Sequence, residues 1–137
     1  MTAKEYLQQA VDLDAQIESY IQEKDSLRRM ACSIRSPQMG GRVQTSREPD
    51  AAFVRVLEKI EAVEETIVQK IDQLVDLKVE MSAAIEALED PDERAVLRYR
   101  YFSLYSFGEI AAKMHYSERS IYRLHTSALN NFKIPGK

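Results

Sequence analysis

Tryptophan is absent from the chain, cysteine occurs once, histidine twice, and proline and glycine four times each. Each shortage excludes something. Cys32 alone cannot close an internal disulfide, and with only His115 and His125 beside it no Cys/His zinc cluster can be assembled. No stretch approaches the roughly 18 apolar residues of a membrane-spanning helix, and the N-terminus is polar and acidic where a signal peptide has an apolar core. A cytoplasmic protein that does not associate with a membrane is expected. No Walker loop, nucleophile elbow or zinc-ligand spacing is present, so the sequence predicts a non-enzyme that needs neither cofactor nor metal.

What remains is a chain of 137 residues, 45% hydrophobic and 30% charged, with a net charge of −3. It is too apolar to stay unfolded and long enough for one ordinary domain or two small ones. The charge is unevenly placed. Residues 1–89 hold 11 Lys/Arg against 17 Asp/Glu, whereas residues 90–137 hold 8 against 5, a surplus of three positive charges. A basic C-terminal unit suits a polyanionic partner, and an acidic segment before it suits a spacer or an assembly element.

Proline and glycine cluster in residues 35–49 and at the C-terminal end, apart from Pro91 and Gly108, and the remainder reads as helix. Thr2 and Glu5 have the spacing of a capping box, which starts a first helix near Ala3. Tyr6, Ala10, Leu13, Ile17, Tyr20, Leu27, Ala31 and Ile34 then recur at steps of four and three, with Lys24 in the one gap. Residues 36–49 have no apolar period and are expected as a loop carrying part of a basic cluster, Arg28, Arg29, Arg35, Arg42 and Arg47. Asp50 is the expected N-cap of a second long helix with apolar positions at Phe53, Leu57, Ile60, Ile67, Ile71, Leu74, Met81, Ile85 and Leu88.

Laid against each other as an antiparallel coiled-coil hairpin over residues 1–89, the two seams pair Ile34 with Phe53, Ala31 with Leu57, Leu27 with Ile60, Ile17 with Ile71 and Tyr6 with Met81. Lys24 then meets Glu64, and a slip of one heptad would set that lysine against hydrocarbon. Val54, Val68, Val75 and Val79 lie among the valines left outside the seam, more apolar surface than one partner helix covers, which predicts a homodimer.

Residues 90–137 change character. Asp90-Pro91 signals an N-cap with proline in the first turn, opening a short helix over residues 91–102 with Val96, Leu97 and Tyr101 on one face. Ser106 and Glu109 form a second capping box and open another helix that ends near Met114, and Ser117 can cap a last helix running to about Asn131. The last two helices fit a helix-turn-helix. Ala111 is small where the helices must touch, His115 stands at the turn position that needs a left-handed backbone, and Ile110, Met114, Tyr116, Ile121 and Leu124 supply the apolar set. His125 is expected at the surface, and Tyr99 and Tyr105 in packing.

Three stretches resemble region 4 of sigma-70-type factors, the module that binds the promoter −35 element: Val96-Leu97-Arg98-Tyr99-Arg100-Tyr101-Phe102, Ser106-Phe107-Gly108-Glu109-Ile110-Ala111, and Ser117-Glu118-Arg119-Ser120-Ile121-Tyr122-Arg123-Leu124-His125. With the acidic hairpin before it, the whole chain resembles small phage and prophage regulators of the ArpU type. Two positions depart from the pattern: Leu104 stands where the turn usually has glycine, and Gly108 lies inside a helix. The resemblance implies an all-α protein that binds double-stranded DNA to regulate transcription and touches bacterial RNA polymerase as region 4 does.

In that reading the last helix enters the major groove. Glu118, Arg119, Tyr122 and Arg123 are the base-reading candidates, and Ser117, Ser120, Lys113, Thr126 and Lys133 the backbone candidates. Two other readings stay open at this point: a DNA-packaging subunit of the small-terminase kind, and an adaptor that binds polymerase or a sigma factor without touching DNA.

Overall fold

The computed structural model describes residues 1–35 and 48–136. Five helices and no strand form among them: α1 (Ala3–Arg35), α2 (Glu48–Glu86), α3 (Pro91–Tyr101), α4 (Phe107–Met114) and α5 (Glu118–Asn131). The chain is all-α, as its periodicity requires. The loop expected over residues 36–49, with Arg42 and Arg47, lies outside the described residues up to 47. The second long helix begins at Glu48, two residues ahead of the expected N-cap Asp50. At the other end of the chain the reciprocal cap of α1 forms as read: the Glu5 amide donates to Thr2 Oγ1 at 3.1 Å and the Thr2 amide to Glu5 Oε1 at 2.8 Å. These bonds hold the Glu5 carboxyl below the usual range. Among the described residues no helix is long and apolar enough to cross a membrane.

Two compact units divide the chain, Gln16–Asp72 and the combination of Met1–Ala15 with Gln73–Lys137. In the first, α1 and α2 run antiparallel. Ala31, Val56 and Ile60 form a buried cluster against which Leu27, Ile34 and Phe53 pack.

Here the seam of α2 differs from expectation. Val56 and Val63 are buried, whereas Leu57 and Ile71 are 44% and 41% exposed. Phe53, Ile60, Ile67, Leu74 and Met81 belong to either possible seam. The choice is between adding Val56, Val63, Lys70 and Leu77 or adding Leu57, Glu64, Ile71 and Lys78. The first set supplies the buried Val56 and Val63, and of the second set only Lys78 reaches α1, with its ammonium on Asp14. The expected pairing of Lys24 with Glu64 is replaced accordingly: Glu64, turned to the flank, accepts from Arg28 at 3.5 Å. Both groups of that pair are half exposed, so it contributes little to stability.

The second unit joins the ends of the two long helices to α3, α4 and α5. Leu7, Ala10, Met81 and Ile85 are wholly buried, and the Tyr6 ring lies 5.9 Å from that of Phe132. Burial pushes the Tyr6 hydroxyl up to about 12, with the Glu80 carboxylate beside it adding to the shift although no hydrogen bond of good geometry forms. Lys78, expected opposite Ala10, pairs with Asp14 at 3.6 Å and lies over the Phe102 ring.

The sequence boundary at residue 89 is therefore bridged. Arg94 donates to the carbonyls of Leu88 at 2.6 Å and Glu89 at 3.2 Å, which fixes the link between α2 and α3. Arg98 reaches back to Glu86 at 2.5 Å and Ser82 at 3.2 Å.

Candidate nucleic-acid interface

α3 starts where Asp90 accepts from the Asp92 amide and Pro91 occupies the first turn. α4 starts at the reciprocal cap of Ser106 and Glu109, whose bonds also hold the Glu109 carboxyl low. Between α4 and α5, His115 takes the left-handed conformation, φ 60° and ψ 39°, and its amide closes on Ala111. A histidine tolerates this region better than a β-branched residue would. Ser117 caps α5 by accepting from the Ser120 amide at 3.1 Å.

The three helices close on Val96, Leu97, Tyr101, Ile110, Ile121 and Ala128, all 2% exposed or less, with Ala111 buried at the crossing. α5 packs against both α3 and α4.

Two of the expected placements are reversed. His125 is buried rather than superficial. Its Nε2 lies 2.9 Å from the Tyr101 hydroxyl and the Phe107 ring meets it edge-on at 5.1 Å. Burial, together with the cations Arg100 and Lys4, lowers its pKa to about 4. Sequence reasoning missed this because a histidine four residues beyond Ile121 lies on the same helix face as that core residue, yet a polar side chain there counts as surface unless a partner is known. Tyr116, expected in the apolar set, is exposed instead, and its hydroxyl donates to Asp92 Oδ2 at 2.6 Å, a bond that raises its pKa. The tyrosine thus ties the turn to α3 through its polar end.

A second polar network, centred on a buried carboxylate, had no signal in the sequence. Glu93 on α3 is buried and accepts from Ser127 Oγ at 2.6 Å and from Asn131 Nδ2 at 3.1 Å at both carboxylate oxygens. Arg100, also missed, lies over the Phe107 ring at 4.4 Å and donates to the Tyr105 carbonyl at 3.0 Å. Tyr99 and Tyr105 stack on each other at 5.7 Å, in packing as expected.

Lys113, Ser117, Glu118, Arg119, Ser120, Tyr122, Arg123 and Thr126 are all exposed, and the turn brings the end of α4 to the beginning of α5. Their freedom differs. The Tyr122 ring packs 4.5 Å from Phe107, which fixes its plane. Arg123 borders a cleft of about 340 Å³ with Asp92, Tyr116, Ser120 and Leu124. Ser117 and Thr126 are committed to backbone bonds, the first as a cap and the second donating to the Tyr122 carbonyl at 3.0 Å. Lys113 lies over the Tyr105 ring at 5.3 Å. The Glu118 carboxylate is turned towards the first turn of α4, where a Cβ on Gly108 would sit 3.7 Å from its Oε1. Lys133 is not brought to this surface. It lines an acidic cleft of about 510 Å³ past the end of α5, with Glu89, Asp90, Glu93 and Asn131.

These features define an all-α protein whose C-terminal helices make a helix-turn-helix with an exposed second helix. Residues 34–133 match the family described as "Protein of unknown function (DUF1492)", and the chain belongs to that family. No curated protein and no solved structure matches it.

Proposed function

We propose that this protein binds double-stranded DNA in a sequence-specific way and regulates transcription in the cytoplasm, as a binding protein rather than an enzyme. One observation carries the reading: α5 buries Ile121, His125 and Ala128 while leaving Arg119, Tyr122 and Arg123 outward beside its N-terminus. A helix held this way offers a planar bidentate donor for guanine O6/N7 and a positive dipole end for a phosphate. The surplus of positive charge in residues 90–137 favours the same partner. The likeness to sigma region 4 and to phage-type regulators adds a contact with bacterial RNA polymerase to the proposal.

The test is a binding titration on duplexes obtained by in vitro selection and on scrambled duplexes, at several salt concentrations. Replacing Arg123 with Ala is expected to cost about 1–3 kcal/mol on the selected duplex and little on the scrambled one. Replacing Lys113 with Ala should weaken both alike and reduce the salt slope by about one. Equal losses for Arg123→Ala on both duplexes would remove it from base readout. Absence of any sequence preference, with retained polymerase binding, would favour the adaptor reading instead.

A further inference from the structure

Outside its pairing with α1, helix α2 carries a second apolar row. Val54, Leu57, Val68, Ile71, Val75 and Val79 are all large, apolar and between 41% and 67% exposed. All but Val79 repeat in heptads, Val54, Val68 and Val75 in one column and Leu57 and Ile71 in the other, with Val79 beside them. The row lies about 100° around the helix from the buried seam, because each column is one residue later than its buried counterpart. Two seams a quarter-turn apart are what a helix needs in the middle of a four-helix assembly. α1 has no such row, its one exposed large apolar residue being Met30. The cover for the row on α2 is therefore sought in another α2.

The charges that interrupt the row decide the polarity. Glu61 and Glu64 break it towards the N-terminal end and Lys78 towards the C-terminal end. In parallel pairing, like meets like: glutamate on glutamate twice and lysine on lysine. In antiparallel pairing centred between Gln69 and Lys70, Val68 faces the partner's Ile71 and Glu61 faces the partner's Lys78, each contact made twice by symmetry. Two of these charges keep a partner in their own chain, Glu64 with Arg28 at 3.5 Å and Lys78 with Asp14 at 3.6 Å, so what separates the two polarities is that the antiparallel one keeps Glu61 and Glu64 away from their own copies.

We infer that two copies of the chain associate through antiparallel pairing of their α2 helices in this register, forming an isologous dimer. The inference stands apart from the DNA-binding proposal, which needs no such contact.

Cross-linking in a Cys32→Ser background tests it. Glu61→Cys mixed with Lys78→Cys is expected to give a disulfide-linked dimer, while neither variant alone does so. A dimer from Glu61→Cys alone would establish parallel pairing and overturn the inference. In sedimentation the unaltered chain should be a dimer at tens of micromolar, and Val68→Glu with Val75→Glu a monomer of unchanged helicity by circular dichroism. Because these valines are exposed within the chain, that double variant is expected to fold. Glu61→Lys, which turns two attractions into two repulsions, should raise the dissociation constant about tenfold. A strict monomer, or a ring of many copies, would refute the two-fold arrangement.

Discussion

His125 makes the stability of the second unit depend on pH in a calculable direction. The imidazole is buried against Phe107 with its Nε2 on the Tyr101 hydroxyl, and its pKa is lowered to about 4 from the usual 6.5. The unfolded chain therefore takes up a proton that the folded chain refuses. The stabilisation is complete above the unfolded value, shrinks as pH falls through this window, and is lost below the folded value. At about pH 5 the loss is about 2 kcal/mol, rising towards about 3 kcal/mol at lower pH.

Urea denaturation at about pH 7.5, 6 and 5 would measure it. Carboxylates such as Glu5 and Glu109, whose pKa values are lowered by their caps, also destabilise the fold in acid. The quantity to compare is thus the difference between the unaltered chain and His125→Gln. That variant should be less stable at neutral pH, since it loses shape against Phe107, but the gap should narrow by about 2 kcal/mol on going to about pH 5. The two histidines give two resolved ring signals in NMR, and the one lost in the variant should not titrate until well below pH 6 in the unaltered protein. A gap that stays constant with pH, or a His125 signal that titrates near 6.5, would refute the account.

Removing the Glu93 carboxylate deletes three part-buried hydrogen bonds from Ser127 and Asn131, both of which water can reach, so Glu93→Ala should cost about 2 kcal/mol in chemical denaturation. Asn131→Ala should cost less, because the carboxylate keeps Ser127. Leu104 adopts φ 61°, a left-handed backbone that an L side chain resists, and its side chain is exposed. Leu104→Gly should therefore raise stability by about 0.5–1 kcal/mol, and a loss would mean that the exposed leucine packs in solution.

The helices themselves were legible in the chain. The caps at Thr2, Ser106 and Ser117, the Asp90-Pro91 start and the left-handed turn at His115 are local devices, each written in two to four consecutive residues, and each forms as read. The same holds for the exposed face of α5 and for the core set Ile110, Ala111 and Ile121, because a period of 3.6 sorts a short helix into two faces without reference to anything else.

What needed the tertiary structure was every choice between two faces of equal merit. α2 carries apolar columns one residue apart, so periodicity could not say whether Val56 and Val63 or Leu57 and Ile71 would meet α1. The choice appears only with the partner helix in place, which buries Val56 and Val63 and leaves Glu64 on the flank with Arg28. His125, Glu93 and Tyr116 are the same problem in polar form. Whether a polar side chain is solvated or buried depends on a partner that is remote in sequence: Tyr101 for the histidine, Ser127 and Asn131 for the glutamate, and Asp92 for the tyrosine. Local sequence carries the period and the caps, and long-range packing supplies the partners that make a buried polar group affordable.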